Sequence, residues 1–222
     1  MHNWLQEDIK ELTEVAEEQT GLETRLVQLK EANNPLCIRG PAMLQALPTI
    51  PQVFLNQSDD RWKHLLACRF VMLSSNTFQD FYGVYYMEFI LVANDMLGNY
   101  GCFFDFITGR TIGEHTSEQY YRDVVMLNIR HEYREVELGE DRIIIENAPT
   151  FGMSLTSGER VDVTFPNQEY FTKISEPRDK KSVAFNPKQW ASNPEIAADN
   201  AIKALRLHLR KHKSLPDESM AA

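Results

Sequence analysis

From Trp4 to Ala32 the apolar positions Leu5, Ile9, Leu12 and Ala16 recur at steps of four and three, and Leu22, Leu26 and Leu29 resume the pattern one residue out of phase. Such spacing places one apolar stripe along a helix. The phase fault falls at "QTGL", where Gly21 is a poor helix former, so a two-helix hairpin or a bent helix is expected. From about residue 64 to 175 the period changes. "ACRFVMLSS", "VYYMEFILVA", "YGCFFDFITG", "YYRDVVMLNI", "DRIIIEN", "FGMSLTSG" and "RVDVTF" are short, β-branched and aromatic, and Gly, Asn, Asp or Ser separates them. They predict a meandering, largely antiparallel sheet. Two hairpins stand out. Phe151, Met153 and Leu155 alternate, "TSGE" turns, and Val161, Val163 and Phe165 alternate again; "DFITGRTIGE" at 105–114 turns at Gly109.

The last periodic stretch, "PEIAADNAIKALRLHLRKHK" at 194–213, sets Ile196, Ala197, Ala201, Ala204, Leu205 and Leu209 on one broad face. Ser192 or Asn193 is available as a cap and Pro194 suits the first turn, so an amphipathic C-terminal helix is predicted. Residues 33–60, with "NNP", "RGP", "LPTIP" and "NQSDD", are rich in structure breakers and read as a linker packed on the surface. A short helical turn at 41–46 can begin at Pro41. The expected class is α+β: an antiparallel β-sheet core flanked by an N-terminal helix or helical hairpin and a C-terminal helix. The expected divisions are 1–33 helical region, 34–60 linker, 61–213 sheet domain with its helix, and 214–222 disordered tail.

In "YYRDVVMLNI", read as one strand, Tyr121, Asp123, Val125, Leu127 and Ile129 face one way, and Tyr120, Arg122, Val124, Met126 and Asn128 the other. Both faces are partly apolar, as in a central strand covered on each side. Arg122 and Asp123 are then a candidate structural polar pair, Asp123 accepting from a turn at 114–118 or pairing with a nearby base.

At 222 residues and 43% hydrophobic, the chain can bury a large core. A net charge of −9 gives no general attraction for nucleic acid or an anionic membrane, so only a local patch reverses that. The longest apolar stretches, such as "FILVA" and "VVMLNI", fall far short of the ~20 residues of a membrane helix. The acidic, amphipathic N-terminus does not read as a secretory signal, and a cytoplasmic location of bacterial type is expected. Charge is also segregated. Residues Glu7, Asp8, Glu11, Glu14, Glu17, Glu18, Glu23 and Glu31 stand against Lys10, Arg25 and Lys30 in the N-terminal helical region. The C-terminal helix carries Lys203, Arg206, Arg210, Lys211 and Lys213, which suit the negative end of its dipole and also form a candidate surface for a protein partner or anionic lipid.

Catalytic spacings are missing. There is no GxxxxGK[ST] and no GxGxxG after a strand. "HEYRE" at 131–135 has Glu135 where a zinc-protease helix needs its second histidine. "GMSLT" at 152–156 has Thr156 where a nucleophile elbow needs glycine, and Ser154 is expected to face solvent from the hairpin. His2, His64, His115, His131, His208 and His212 form no metal pattern; His208 and His212 can share a helix face, but positive neighbours oppose a cation. Asp59-Asp60 and Glu140-Asp141 read as turn formers. Cys37, Cys68 and Cys102, without a CxxC pair, read as buried free thiols. No cofactor or metal is expected.

Three blocks taken together, "GCFFDFITGRTIGEHTSEQYYRDVVMLNI", "IIIENAPTFGMSLTSGERVDVTF" and "AADNAIKALRLHLRKHK", resemble an uncharacterised bacterial protein family. Its members carry a Tyr-Phe-Tyr-x-Asp-Val-Val-Ser-Val tract, a Phe-x-Leu-x-x-Ser-Gly hairpin and a final amphipathic helix. The resemblance spans about Tyr100 to Lys213 and departs at Met126-Leu127, where the family tract continues with serine and valine. It implies a sheet-plus-helix module similar to pleckstrin-homology-like folds, with no catalytic residue to carry over. The leading expectation is a non-enzymatic module that binds a protein partner or a second copy of itself through its oppositely charged helices. Peripheral binding to an anionic membrane through the basic helix, and an enzyme whose site assembles from distant residues, are the alternatives.

Overall fold

Gly21 sets the first boundary. In the computed structural model, which describes residues 2–29, 33–45, 69–74, 77–138, 141–166 and 194–213, helix α1 (His2–Thr20) stops where Gly21 takes a positive φ of 62°. That left-handed conformation closes a helix at little cost only for glycine. Beyond it the expected second helix does not form over the described residues. Leu26 instead bridges to Ala93, and the Val27 N–H donates to the Val92 carbonyl at 2.9 Å. Asn34 fixes this run: its Nδ2 donates to the carbonyls of Val27 and Val92, and its Oδ1 accepts from the Val92 N–H. Local helix periodicity at Leu22, Leu26 and Leu29 lost to backbone pairing of Leu26 and Val27 with the buried residues Ala93 and Val92.

The sheet elements follow as β1 (Leu36–Pro41), a 3₁₀ turn η1 (Ala42–Leu44), β2 (Arg69–Ser74), β3 (Thr77–Tyr82), β4 (Val84–Val92), β5 (Met96–Asp105) and β6 (Arg110–Tyr120). A second 3₁₀ turn, η2 (Tyr121–Asp123), leads to β7 (Val124–Leu138), β8 (Asp141–Leu155), β9 (Arg160–Thr164) and helix α2 (Pro194–Lys213). They make a four-stranded sheet β1-β4-β5-β6, a hairpin β2-β3 and a three-stranded sheet β7-β8-β9, all antiparallel. The class is α+β. Both expected hairpins form, with positive φ at Gly109 and Gly158. At the first, Asp105 Oδ1 accepts from the backbone N–H of Ile107 at 2.9 Å and of Thr108.

Two expectations are corrected. Residues 36–41, read as linker, are strand β1, with Leu36 and Ile38 buried against β4; breakers at both ends hid a six-residue strand. The rest of that stretch, 46–60, lies outside the described residues, as do the Ser192 or Asn193 cap and the 214–222 tail. The turn expected near Pro41 is η1. The tract "YYRDVVMLNI" is not one central strand. Tyr120 ends β6, residues 121–123 turn, and β7 begins at Val124 as an edge of the second sheet. A register irregularity between Val124 and Met126 shifts the phase, so Val124 and Leu127 are buried while Val125 and Met126 are 59% and 41% exposed. The strands covered on both sides are β4 and β5, buried at every position.

Two cores lie on opposite faces of the four-stranded sheet. Tyr85, Met87, Phe89 and Leu91 of β4 pack with Tyr100 and Phe104 of β5 against Leu5, Leu12 and Ala16 of α1. Val84, Tyr86, Ile90 and Val92 point the other way, toward Phe151, Met153 and Val163 of the second sheet and Ala201, Ile202, Leu205 and Leu209 of α2. Period-two alternation thus feeds two cores from one strand. At the crossing of β1 and β9, the buried Gln45 side chain donates to the Thr164 carbonyl and accepts from the Thr164 N–H, both at 3.0 Å. It joins the two sheets as a neighbouring strand would.

Candidate functional site

Helix α2 buries Ala201, Ala204, Leu205 and Leu209 as its spacing requires; Ile196 and Ala197 have no described side-chain placement. Its opposite face carries the basic residues. Lys203, Arg206, Arg210 and Lys211 are exposed, and the Lys213 side chain lies outside the described residues. Arg206 Nη2 donates to the Leu127 carbonyl at 2.8 Å, which ties the helix to the start of β7. Lys203 and Arg210 form no ion pair among the described residues, and Leu207, 53% exposed, stands between them.

A ring cluster holds this helix on the fold. The Tyr121 ring lies 4.6 Å from His212, nearly parallel to it, and 5.0 Å from His208, and the two imidazoles are 4.5 Å apart. The Tyr121 hydroxyl donates to the Ala93 carbonyl. His208 is held below the ordinary imidazole range by burial first, then by His212 and Lys211, against a smaller opposing effect of the Ala93 carbonyl. Both histidines share a face, as their spacing predicts, and that face is filled by an aromatic ring. Among the described residues no group of three or more His, Cys, Asp or Glu is arranged to hold a metal. Tyr121→Phe is expected to lower stability by about 1 kcal/mol, the net worth of a buried hydrogen bond. Urea denaturation reads it, and an unchanged midpoint would remove the bond from the account.

Arg122 and Asp123 flank this cluster without touching each other in any described contact. The Arg122 guanidinium sits 5.1 Å from the Tyr120 ring centre, and Asp123 Oδ1 accepts from the Thr156 hydroxyl at 3.4 Å while its carbonyl takes the Thr156 N–H at 2.8 Å. The pair therefore pins η2 to the β8-β9 turn through Asp123 and leaves Arg122 at the surface.

The acidic counterpart is α1. Glu7, Glu11, Glu14 and Glu18 are exposed, and among the described residues the helix has a single weak ion pair, Lys10 to Glu14 at 4.0 Å. Asp8 is raised by partial burial and then by Glu11 and Glu7, and Glu17 by partial burial and then by Glu14 and Glu23. Asp8 and Glu17 thus each feel the like charge of their acidic neighbours.

On the second sheet charges are paired. Arg130 Nη2 meets Asp162 Oδ2 at 2.6 Å, Arg134 Nη2 meets Glu132 Oε2 at 2.5 Å, and Arg130 also pairs with Glu132. Burial alone would raise Glu132, but the Arg130 hydrogen bond and the charges of Arg134, Arg130 and Arg160 hold it below the usual range. Ser154 is half-buried on β8 and meets no base in any described contact. Cys102 is buried and Cys37 half-buried, and both are free; burial pushes their thiols up to about 12 and about 11, which keeps them protonated and poorly nucleophilic. Cys68 and His64 lie outside the described residues.

One polar group was passed over in the sequence. Glu88 is fully buried in the middle of β4, where its Oε2 accepts from the Tyr86 hydroxyl at 2.8 Å and its Oε1 has no hydrogen-bond partner. A single acid inside the apolar run "VYYMEFILVA" was the signal available. No family model, curated protein or solved structure matches this chain.

Proposed function

We propose that the chain is a non-enzymatic protein-binding module that self-associates, the acidic face of α1 in one copy meeting the basic face of α2 in another. One observation carries this reading: the two helices turn opposite charge outward, and Glu7 and Glu11 on one and Lys203 and Arg210 on the other form no ion pair among the described residues. Each also exposes one large apolar side chain among its charges, Trp4 at 63% and Leu207 at 53%. A buried aromatic or aliphatic anchor ringed by charge supplies affinity while the charges steer and orient. Two antiparallel sheets with a helix packed on them also support the pleckstrin-homology-like reading, in which the core is scaffold for such a surface. No helix among the described residues is long and apolar enough to cross a membrane.

Sedimentation of the full chain across a concentration series at low and high salt tests the proposal. Dimers that dissociate as salt rises are expected, because exposed charge pairs are screened. The double change Lys203→Glu with Arg210→Glu is expected to weaken association about tenfold, two exposed pairs at up to about 1 kcal/mol each. Glu7→Lys with Glu11→Lys weakens it likewise, and mixing the two reversed proteins restores it. A monomer at every concentration and salt overturns self-association; if that monomer binds vesicles of acidic phospholipid in a salt-sensitive way, α2 is a membrane surface instead.

A further inference from the structure

Strand register brings Glu88 and His115 together across a glycine. Glu88 of β4 pairs with Gly101 of β5, and Gly101 pairs with His115 of β6. With no side chain between them, the outer two side chains meet. His115 Nε2 lies 3.9 Å from Glu88 Oε2, with the imidazole half exposed and the carboxyl fully buried. A Cβ on Gly101 would stand 2.6 Å from Glu88 Oε2 and 2.3 Å from His115 Cε1, so these two groups occupy the volume a side chain would fill.

Glu88 is poorly provided for as a carboxylate. An ionised carboxylate has about four acceptor sites, and here Tyr86 supplies one hydrogen bond while Oε1 has none. The groups that sense its charge are Tyr86 on its own strand, Cys37 on β1 and Cys102 on β5, none of them cationic; Arg39 acts on Cys37, and Asp162 of β9 and Cys102 act on Tyr86. His115 is the one base within ion-pair distance of Glu88 among the described residues. Closing the remaining gap of about 1 Å to hydrogen-bond length is a side-chain motion over a glycine.

We propose that Glu88 and His115 form a proton-operated switch across Gly101: while Glu88 keeps its proton the imidazole stays at the surface, and when Glu88 gives it up to solvent the imidazole moves in and donates from Nε2 to the carboxylate. The switch couples the acidity of the medium to the arrangement of β6, an edge strand of the first sheet. Burial pushes Glu88 up to about 7, with the Tyr86 hydrogen bond opposing, so the changeover falls near neutrality. This inference is independent of how the helices associate.

Carbon-detected titration of Glu side-chain carboxyls and nitrogen-detected titration of the histidines, on the full chain between pH 4 and 9, tests it. Glu88 is expected to titrate near neutrality, and the His115 ring signals are expected to report a new hydrogen bond as Glu88 ionises, a response absent in Glu88→Gln. In His115→Ala, a change at a half-exposed side chain that removes the donor, the Glu88 midpoint is expected to move up by about one unit, the worth of one hydrogen bond to the charged form. A Glu88 midpoint in the ordinary carboxylate range overturns the switch. So does a Glu88 midpoint that His115→Ala leaves in place, and that variant serves if Glu88→Gln does not fold.

Discussion

Gly40→Ala is expected to lower the unfolding free energy by about 3 kcal/mol, at the upper end of overpacking costs. A Cβ at residue 40 would lie 2.0 Å from the Thr164 carbonyl oxygen and 3.1 Å from its carbonyl carbon. The clash is with backbone, so no rotamer relieves it. The Thr164 carbonyl is also held by Gln45, whose amide grips both backbone groups of that residue and donates to the Pro41 carbonyl at 2.9 Å. To admit the methyl group, β1 must part from β9 and the Gln45 clamp must open. Gly109→Ala is the comparison. It also replaces a glycine, here at a positive φ of 69° but with open space around it, and costs about 1 kcal/mol from conformational strain alone. Urea midpoints of the two variants measure the difference, and equal losses would mean that the sheet crossing yields easily.

Glu88→Gln is expected to change the pH dependence of stability more than its value at any one pH. The Glu88 carboxyl is raised from 4.5 to about 7 in the folded protein, so the native state holds its proton more tightly than the unfolded chain does. Its contribution is fully present below 4.5, is lost as pH rises toward 7, and stays lost above that. From pH 4 to pH 8 the loss amounts to about 3 kcal/mol. The amide cannot ionise, keeps an oxygen for the Tyr86 hydroxyl, and removes this slope. His208 works in the opposite sense. It is lowered in the fold, so its stabilisation is present above the ordinary imidazole value and lost as pH falls through its folded one. Denaturation curves of both proteins at a series of pH values give the Glu88 effect by difference. Parallel curves would show that Glu88 is not held neutral by burial.

Helix and hairpin positions were legible because they are set locally. The stripe at Leu5, Leu12 and Ala16, the alternation at Phe151, Met153 and Leu155, and the turns at Gly109 and Gly158 each answer to neighbours a few residues away. Segregated charge was legible too, since acids on α1 and bases on α2 are properties of single helices. What failed were inferences across a break in period. Leu22, Leu26 and Leu29 keep a helical spacing but follow Gly21, and the backbone at Leu26 and Val27 pairs with Ala93 and Val92 instead. The tract around Asp123 alternates on paper, yet η2 and the irregularity after Val124 reset its phase.

The sequence by itself determined the α+β class, the hairpins, the C-terminal helix and the polarity of the two charged helix faces, because propensity, periodicity and turn chemistry act over one or two turns of chain. Only the tertiary structure decided that β4 is covered on both faces, that Gly40 and Gln45 join the two sheets, and that Gly101 lets Glu88 and His115 meet. Those facts rest on strand register, which brings together residues far apart in the chain and is fixed by the packing of the whole sheet.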